Sequence, residues 1–256
     1  MEKNKKQKEK KSRITPKKGS GKNITTVPSN PDPNNLNPNN LDISNQENER
    51  QEKIPQDQYL YVYGITNNKN MELNLNGLKD QSIQTLEIND LTALFSFYPT
   101  LHPLVEEKEA LLHAEIVNQL AGKMTVIPMA FGTVFKDQEI LKTVLTSSYP
   151  QAQKTLELIK DKLELGIKVI KKENRPEEAS REIVEELNKL SVKSITGDKF
   201  SERLLLNNSF LVEKNRFAQF SDKVGELEQK YPDLKFLYTG PWPAYSFVNI
   251  NIKAGG

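Results

Sequence analysis

Residues 163–170 of the chain read LELGIKVI, and their alternation of apolar and other side chains is the clearest structural signal in the sequence. Apolar residues occupy every second position, at Leu163, Leu165, Ile167 and Val169. Because successive side chains of a β-strand point to opposite faces, this period of two predicts a strand with one buried face.

The sequence after this strand predicts a small α+β domain over residues 162–256. An acidic helix that begins at Pro176 and a second helix from Asn215 each have apolar residues at helical spacing. Further strands are predicted at residues 206–213, 234–239 and 245–252. The predicted order, β-α-β-α-β-β, is close to the ferredoxin-like, or split βαβ, layout.

The sequence before it predicts a first α+β domain over residues 59–161. Residues 59–66 have the composition of a strand, and residues 83–98 that of a hairpin with its turn at Asn89 and Asp90. Helices are predicted from residue 104, from a cap at Asp137 and from Pro150. The first of these helices has its expected apolar face at Val105, Leu112, Ile116 and Leu120. We therefore predict an α+β protein with two domains of about 100 residues each.

The first 58 residues are predicted to be a disordered, basic tail. Residues 1–22 hold nine Lys, one Arg and two Glu, a net charge of +8, so the whole-chain charge of +2 leaves −6 on residues 23–256. Residues 23–58 are rich in Asn and Pro and have no aromatic side chain, so they cannot bury enough apolar area to offset their ordering entropy. The tail is interpreted as solvated; the alternative is an electrostatic binder of nucleic acid or of an anionic surface.

The composition argues against most catalytic classes. The chain has no cysteine and only two histidines, His102 and His113, and it lacks the glycine-rich patterns that bind phosphates. We predict that His113 is partly buried and bonded to a carbonyl group. No cofactor, no metal site, no membrane insertion and no enzymatic activity are expected; a carboxylate-based enzyme remains the alternative. We expect a soluble, intracellular protein that acts by binding.

Two segments are specific enough to nominate partner-binding residues: residues 125–135, TVIPMAFGTVF, and residues 239–248, TGPWPAYSFV. Pro128 cannot donate a hydrogen bond to a sheet, which predicts an edge strand there. Trp242, the single tryptophan, lies between two prolines on a stiff connection, where it either fills a core or anchors a partner. The nominated residues are Pro128, Phe131, Phe135, Pro241, Trp242, Pro243 and Tyr245.

In these two segments the chain resembles the gas vesicle protein L/F family (GvpL/GvpF). The resemblance extends in order from residue 59 to 252: it includes the strand at Tyr59–Tyr63, the helix that bears His113 and the strand around residues 164–169. It implies a non-enzymatic accessory protein of gas vesicle assembly, in the cytoplasm and on the vesicle, with a modified ferredoxin-like C-terminal domain. The implied partners are the amphiphilic shell protein and other accessory proteins. The tail departs from the family pattern.

The resemblance leads to a binding hypothesis. A soluble protein that covers the apolar surface of the shell protein would keep it from aggregating before assembly. The edge strand at Pro128 is predicted to accept a partner strand by β-augmentation, with Trp242 as an aromatic contact beside it.

Overall fold

The computed structural model describes residues 58–172 and 178–250. Within these ranges the chain forms four α-helices and nine strands in two antiparallel sheets, which confirms the predicted α+β class. The predicted disorder over residues 1–58 lies, apart from Gln58, outside the described residues.

The first sheet is formed by residues 59–135. Its strands are β1 (Tyr59–Thr66), β2 (Gln84–Ile88), β3 (Leu91–Tyr98), β4 (Ile127–Pro128) and β5 (Val134–Phe135). The strand order is β2-β3-β1-β4, and β5 also pairs with β1. The predicted hairpin is confirmed by β2 and β3, whose turn contains Asn89 at a φ of 55°, in the left-handed region that Asn tolerates.

The first helix, α1 (Glu107–Lys123), packs on β1 with a different face from the predicted one. Ile116 and Leu120 are buried as expected, but Val105 precedes the helix and is 86% exposed, and Leu112 is 36% exposed. The buried face instead includes two polar residues, Glu109 and His113. These two residues find hydrogen-bond partners on other elements, which an apolar pattern cannot reveal.

A single helix, α2 (Gln138–Ile159), replaces the two helices that were predicted to meet at Pro150. Its N-cap is confirmed, because the carboxylate of Asp137 accepts a hydrogen bond from the Ile140 amide at 2.8 Å. Pro150 lies inside the helix, between apolar residues that are buried on both sides of it: Leu141, Leu145, Ala152, Leu156 and Ile159. This continuous stripe packs into one hydrophobic core, which offsets the local cost of the proline.

The second sheet belongs to residues 162–242. It contains β6 (Lys162–Lys171), β7 (Lys193–Thr196), β8 (Leu204–Glu213) and β9 (Leu234–Trp242), in the order β7-β8-β6-β9. The helices α3 (Glu178–Asn188) and α4 (Phe217–Lys230) contribute to a core with Leu165, Ile167 and Val169. The strand with one buried face is therefore confirmed.

The order of elements from residue 162 differs from the predicted β-α-β-α-β-β. The structure has β-α-β-β-α-β, because β7 was not predicted and residues 245–247 form a 3₁₀ turn instead of the start of a strand. β7 has only four residues, two of them exposed, so its sequence gives little signal. The observed order is that of the split βαβ motif itself.

The hydrophobic core under the first sheet includes residues from both halves of the chain. Phe95 and Phe135 belong to the same buried cluster as Leu211, Ala244 and Phe247. Residues that follow the second sheet thus complete the core of the first sheet.

Candidate partner-binding surface

Strand β9, which contains the first residues of the 239–248 segment, has a backbone irregularity at Gly240 that only glycine accommodates. Gly240 has a φ of +110°, and a Cβ atom there would lie 2.8 Å from the backbone oxygen of Glu164. The strand β9 continues to Trp242, and the chain then turns at Tyr245–Phe247.

A buried carboxylate on β6 holds this turn in place. Glu164, which lies opposite Trp242 in the register of β6 and β9, accepts hydrogen bonds from both the amide and the hydroxyl of Ser246, at 2.8 and 2.6 Å. The Ser246 hydroxyl lies 3.1 Å from that of Ser209 on β8. Because the Ser246 proton points to the carboxylate, the Ser209 hydroxyl donates to Ser246. Glu164 alternates with the apolar residues of β6 and so lies outside the predicted buried face, which is why the sequence does not predict this role.

Some side chains of the 239–248 segment are exposed and others are buried. Pro241, Trp242 and Tyr245 are exposed, the tryptophan to 44% and the tyrosine to 37%. Burial raises the pKa of the Tyr245 hydroxyl to about 12. Pro243 is buried. The segment therefore exposes two aromatic side chains, one at the end of β9 and one in the turn that Glu164 holds.

A chain of buried hydrogen bonds holds the backbone of the 125–135 segment in place. The Gly132 amide donates to the Tyr61 hydroxyl at 3.0 Å. Because the Met129 carbonyl can only accept, Nδ1 of the neutral His113 ring carries no proton and accepts a hydrogen bond from the Tyr61 hydroxyl at 3.0 Å. Nε2 of His113 then carries the ring proton and donates to the Met129 carbonyl at 3.0 Å. Burial lowers the pKa of His113, against the opposing effect of the Met129 bond, and keeps the ring neutral. The prediction of a buried histidine bonded to a carbonyl is confirmed.

The nominated residues of this segment lie mostly inside the protein. Pro128 is at the end of the first sheet, as predicted, but its strand has two residues and both are buried. Phe135 is fully buried in the first core. Phe131 is half-buried against the rings of Tyr61 and His113. In this conformation Pro128 and Phe135 stabilise the sheet and offer no surface to a partner.

The ionisable groups of the described residues are arranged as structural pairs. Burial alone would raise the pKa of Glu109, but hydrogen bonds from Lys79 and Tyr98 outweigh it and lower that pKa below its ordinary value. The other carboxylates with a shifted pKa, Asp90, Glu182 and Glu186, are also lowered, each by a neighbouring lysine. Across residues 58–172 and 178–250, no three His, Asp or Glu side chains lie close enough to hold a metal ion.

Two depressions on the described surface do not resemble a substrate pocket. One of about 400 Å³, at the end of α2, is open to solvent and lined mainly by charged side chains, among them Glu157, Lys160 and Glu213. The other, of about 440 Å³, is also open to solvent and is lined by residues 73–76 and Ser82. None of the helices that the structure describes is long and apolar enough to cross a membrane.

Comparison with known proteins identifies the family. The family model for the gas vesicle synthesis protein GvpL/GvpF matches residues 59–179 and 171–249. The chain belongs to the GvpL/GvpF family. Gas vesicle protein F1 of Halobacterium salinarum is 31% identical over 202 residues, and gas vesicle protein F of Haloferax mediterranei is 32% identical over 203. Each of these alignments covers 76% of this chain and 95% of the relative.

Solved structures of GvpF proteins share the fold. The crystal structure of GvpF from Anabaena sp. PCC7120 has a TM-score of 0.67 at 20% identity, covering 76% of this chain and 97% of that one. GvpF from Microcystis aeruginosa also has a TM-score of 0.67, at 17% identity and with coverage of 75% and 99%. Membership of this GvpL/GvpF family implies a role in gas vesicle formation, and the family is not known to be enzymatic.

Proposed function

We propose that this GvpL/GvpF protein supports the nucleation or growth of gas vesicles by binding the amphiphilic shell protein and other accessory proteins. The proposal is carried by one observation: in a chain of this family, Glu164 holds a turn that presents Trp242 and Tyr245 to solvent. Large aromatic side chains on a rigid support are the residues that most often dominate binding energy at protein interfaces.

The physical task of such a protein is to cover apolar surface. A shell subunit that exposes a large apolar area before polymerisation aggregates unless another surface buries that area. A binder with a preorganised aromatic contact covers it reversibly, because it loses little side-chain entropy on binding. We infer that the protein works in the cytoplasm at the vesicle, with no cofactor, no specific nucleic-acid partner and no membrane insertion.

The domain organisation is part of the same proposal. We propose that residues 59–161 and 162–256 are two domains and that the second is a modified ferredoxin-like domain. The support is that each range contains one of the two sheets, and that the second sheet has the β-α-β-β-α-β order. Of the nominated contact residues, we retain Pro241, Trp242 and Tyr245.

The test is co-purification of the full chain with shell protein kept soluble, for the wild type and for Trp242→Ala. We expect the wild type to recover the shell protein and Trp242→Ala to lose it while its melting temperature is nearly unchanged. Leu104→Ala is the matched control, because Leu104 is 76% exposed and lies far from this turn in sequence. Failure of the wild type to recover the shell protein would refute the proposal. A loss of about 3–5 kcal/mol of stability in Trp242→Ala would instead assign Trp242 to a core.

A further inference from the structure

Strand β9 is an end strand of the second sheet. In the described residues it pairs only with β6, so its other side presents backbone N–H and C=O groups that no strand satisfies. Proteins usually protect such edges with charges, prolines or very short strands. β9 is nine residues long with a single charge, Lys235, and its one proline, Pro241, is near the end.

The other sheet ends are better protected. β7, at the opposite end of the same sheet, has four residues and begins with Lys193. In the first sheet, β4 has two buried residues and β2 has an exposed charge at Glu87. β9 is therefore the longest end strand in the described residues, and its nine residues carry one charge and one proline near the end.

Four of the ten large apolar side chains that are exposed in the described residues lie along this edge or just beyond it. Leu237 and Tyr238 on β9 are each 36% exposed, and Trp242 and Tyr245 follow at its end. Seven of the nine residues of β9 are exposed. A strand that pairs with residues 234–240 would thus gain main-chain hydrogen bonds and apolar contacts together.

We infer that β9 binds an extended strand of a partner protein by β-augmentation, and that this strand is apolar and carries no charge except a carboxylate opposite Lys235. The inference rests on the proposed function and specifies how the partner binds. Main-chain pairing provides affinity without side-chain specificity. Leu237 and Tyr238 are consecutive and point to opposite faces of the sheet, so they favour apolar side chains on both faces of the partner strand. The strand that we infer accepts the partner is therefore β9, which ends in Trp242, and not the strand at Pro128 that the sequence analysis predicted.

The geometry of β9 favours a foreign strand over a second copy of the chain. Two copies of β9 would pair antiparallel about a two-fold axis near Leu237. That axis would place Trp242 of each copy opposite Pro232 or Asp233 of the other, which form a turn before β9, so Trp242 would lie outside the paired strands. A foreign strand that continues past Gly240 would contact both Trp242 and Tyr245.

The test uses the full chain and a synthetic peptide of about ten alternating Val and Thr residues with one Glu, long enough at about 3.4 Å per residue to pair with residues 234–240. Trp242 is the single tryptophan, so its fluorescence reports this edge directly. We expect a saturable blue shift of the emission. A peptide of the same sequence with every amide N-methylated should give none, because neither of its edges can donate to the strand.

Two lysine variants test whether the peptide binds at β9. Leu237→Lys should weaken peptide binding at least about tenfold, the loss expected when an apolar contact is replaced by a charge. Leu104→Lys makes the same change at an exposed leucine elsewhere and should bind like the wild type. Equal binding of the methylated peptide, equal binding by Leu237→Lys, or dimerisation of the free chain through β9 would each overturn the inference.

The shell protein separates this inference from the proposed function. If the wild type and Leu237→Lys recover the shell protein equally, the role of β9 is refuted while the function stands. If the wild type recovers no shell protein but binds the peptide at β9, the function is refuted while the strand-binding edge stands.

Discussion

The 125–135 and 239–248 segments have similar compositions, rich in aromatic residues, proline and glycine, but the structure gives them opposite environments. In the first segment, Phe135 is fully buried, and the side chains of His113 and Tyr61 hydrogen-bond to the backbone of Met129 and Gly132. In the second, Glu164 fixes the backbone at Ser246, and Trp242 stays at the surface. Both backbones are held by buried polar side chains, yet only the second leaves large aromatic groups accessible.

This contrast shows what composition alone cannot distinguish. Aromatic and proline-rich segments are typical both of cores and of binding surfaces. The two segments differ in what their buried polar side chains hold in place. The Tyr61–His113 pair supports a loop that covers a core, whereas Glu164 supports a turn at the end of an exposed strand.

The largest expected effect is the loss of stability in Phe135→Ala. Removing a fully buried phenylalanine from the first core should cost about 3–5 kcal/mol, because the lost apolar contacts leave a cavity. Urea unfolding of the variant measures this loss. Leu104→Ala, at a site 76% exposed, should change the free energy of unfolding by no more than about 0.5 kcal/mol. Equal stabilities of the two variants would contradict the assignment of the 125–135 segment to the core.

Glu164→Gln should have a smaller effect. The glutamine oxygen can accept one of the two Ser246 hydrogen bonds, but its NH₂ group cannot accept the other, which costs about 1–3 kcal/mol at this buried site. Urea unfolding measures the cost, and a change in Trp242 fluorescence would report loosening of the turn. Ser246→Ala, which keeps the amide bond, is the control and should lose less. If Glu164→Gln left both quantities unchanged, the carboxylate would have no part in holding the segment.

The smallest expected effect is a pH dependence of the free energy of unfolding that comes from His113, whose ring bonds to the 125–135 segment. Because burial lowers the pKa of His113, the folded state binds fewer protons than the unfolded state, and stability rises with pH. The contribution is complete above the ordinary histidine pKa of about 6.5 and is lost as the pH falls from there toward the lowered value. Unfolding measured between pH 7.5 and 5 checks this, and His113→Gln should flatten the curve. An NMR titration of the His113 imidazole at its ordinary pKa would refute it.

The sequence predicts the elements of this fold better than their order. The strand over residues 162–171, the hairpin of β2 and β3 and the Asp137 cap are all confirmed, because each depends on local periodicity or turn chemistry. β7 was missed because four half-exposed residues have no periodicity to detect. Pro150 was interpreted as a helix start, since only the packed stripe of α2 shows that the helix continues through it.

The candidate surface was predicted only in part. Trp242 and its prolines stand out in the sequence, but the carboxylate that positions them lies 82 residues before Ser246, and only the pairing of β6 with β9 brings the two together. The exposure of β9 likewise depends on which strand ends the sheet. The position of a strand at the end of a sheet is set by the topology, so it cannot be predicted from the residues of β9 alone.

The shared core of the first sheet has a consequence for synthesis on the ribosome. Phe95 and Phe135 emerge early, but Ala244 and Phe247, which pack in the same cluster, are translated near the end of the described chain. Translation proceeds at about 5–20 residues per second, so the nascent N-terminal half waits for seconds with part of its apolar surface uncovered. We expect chaperones that bind nascent chains to protect it during that interval.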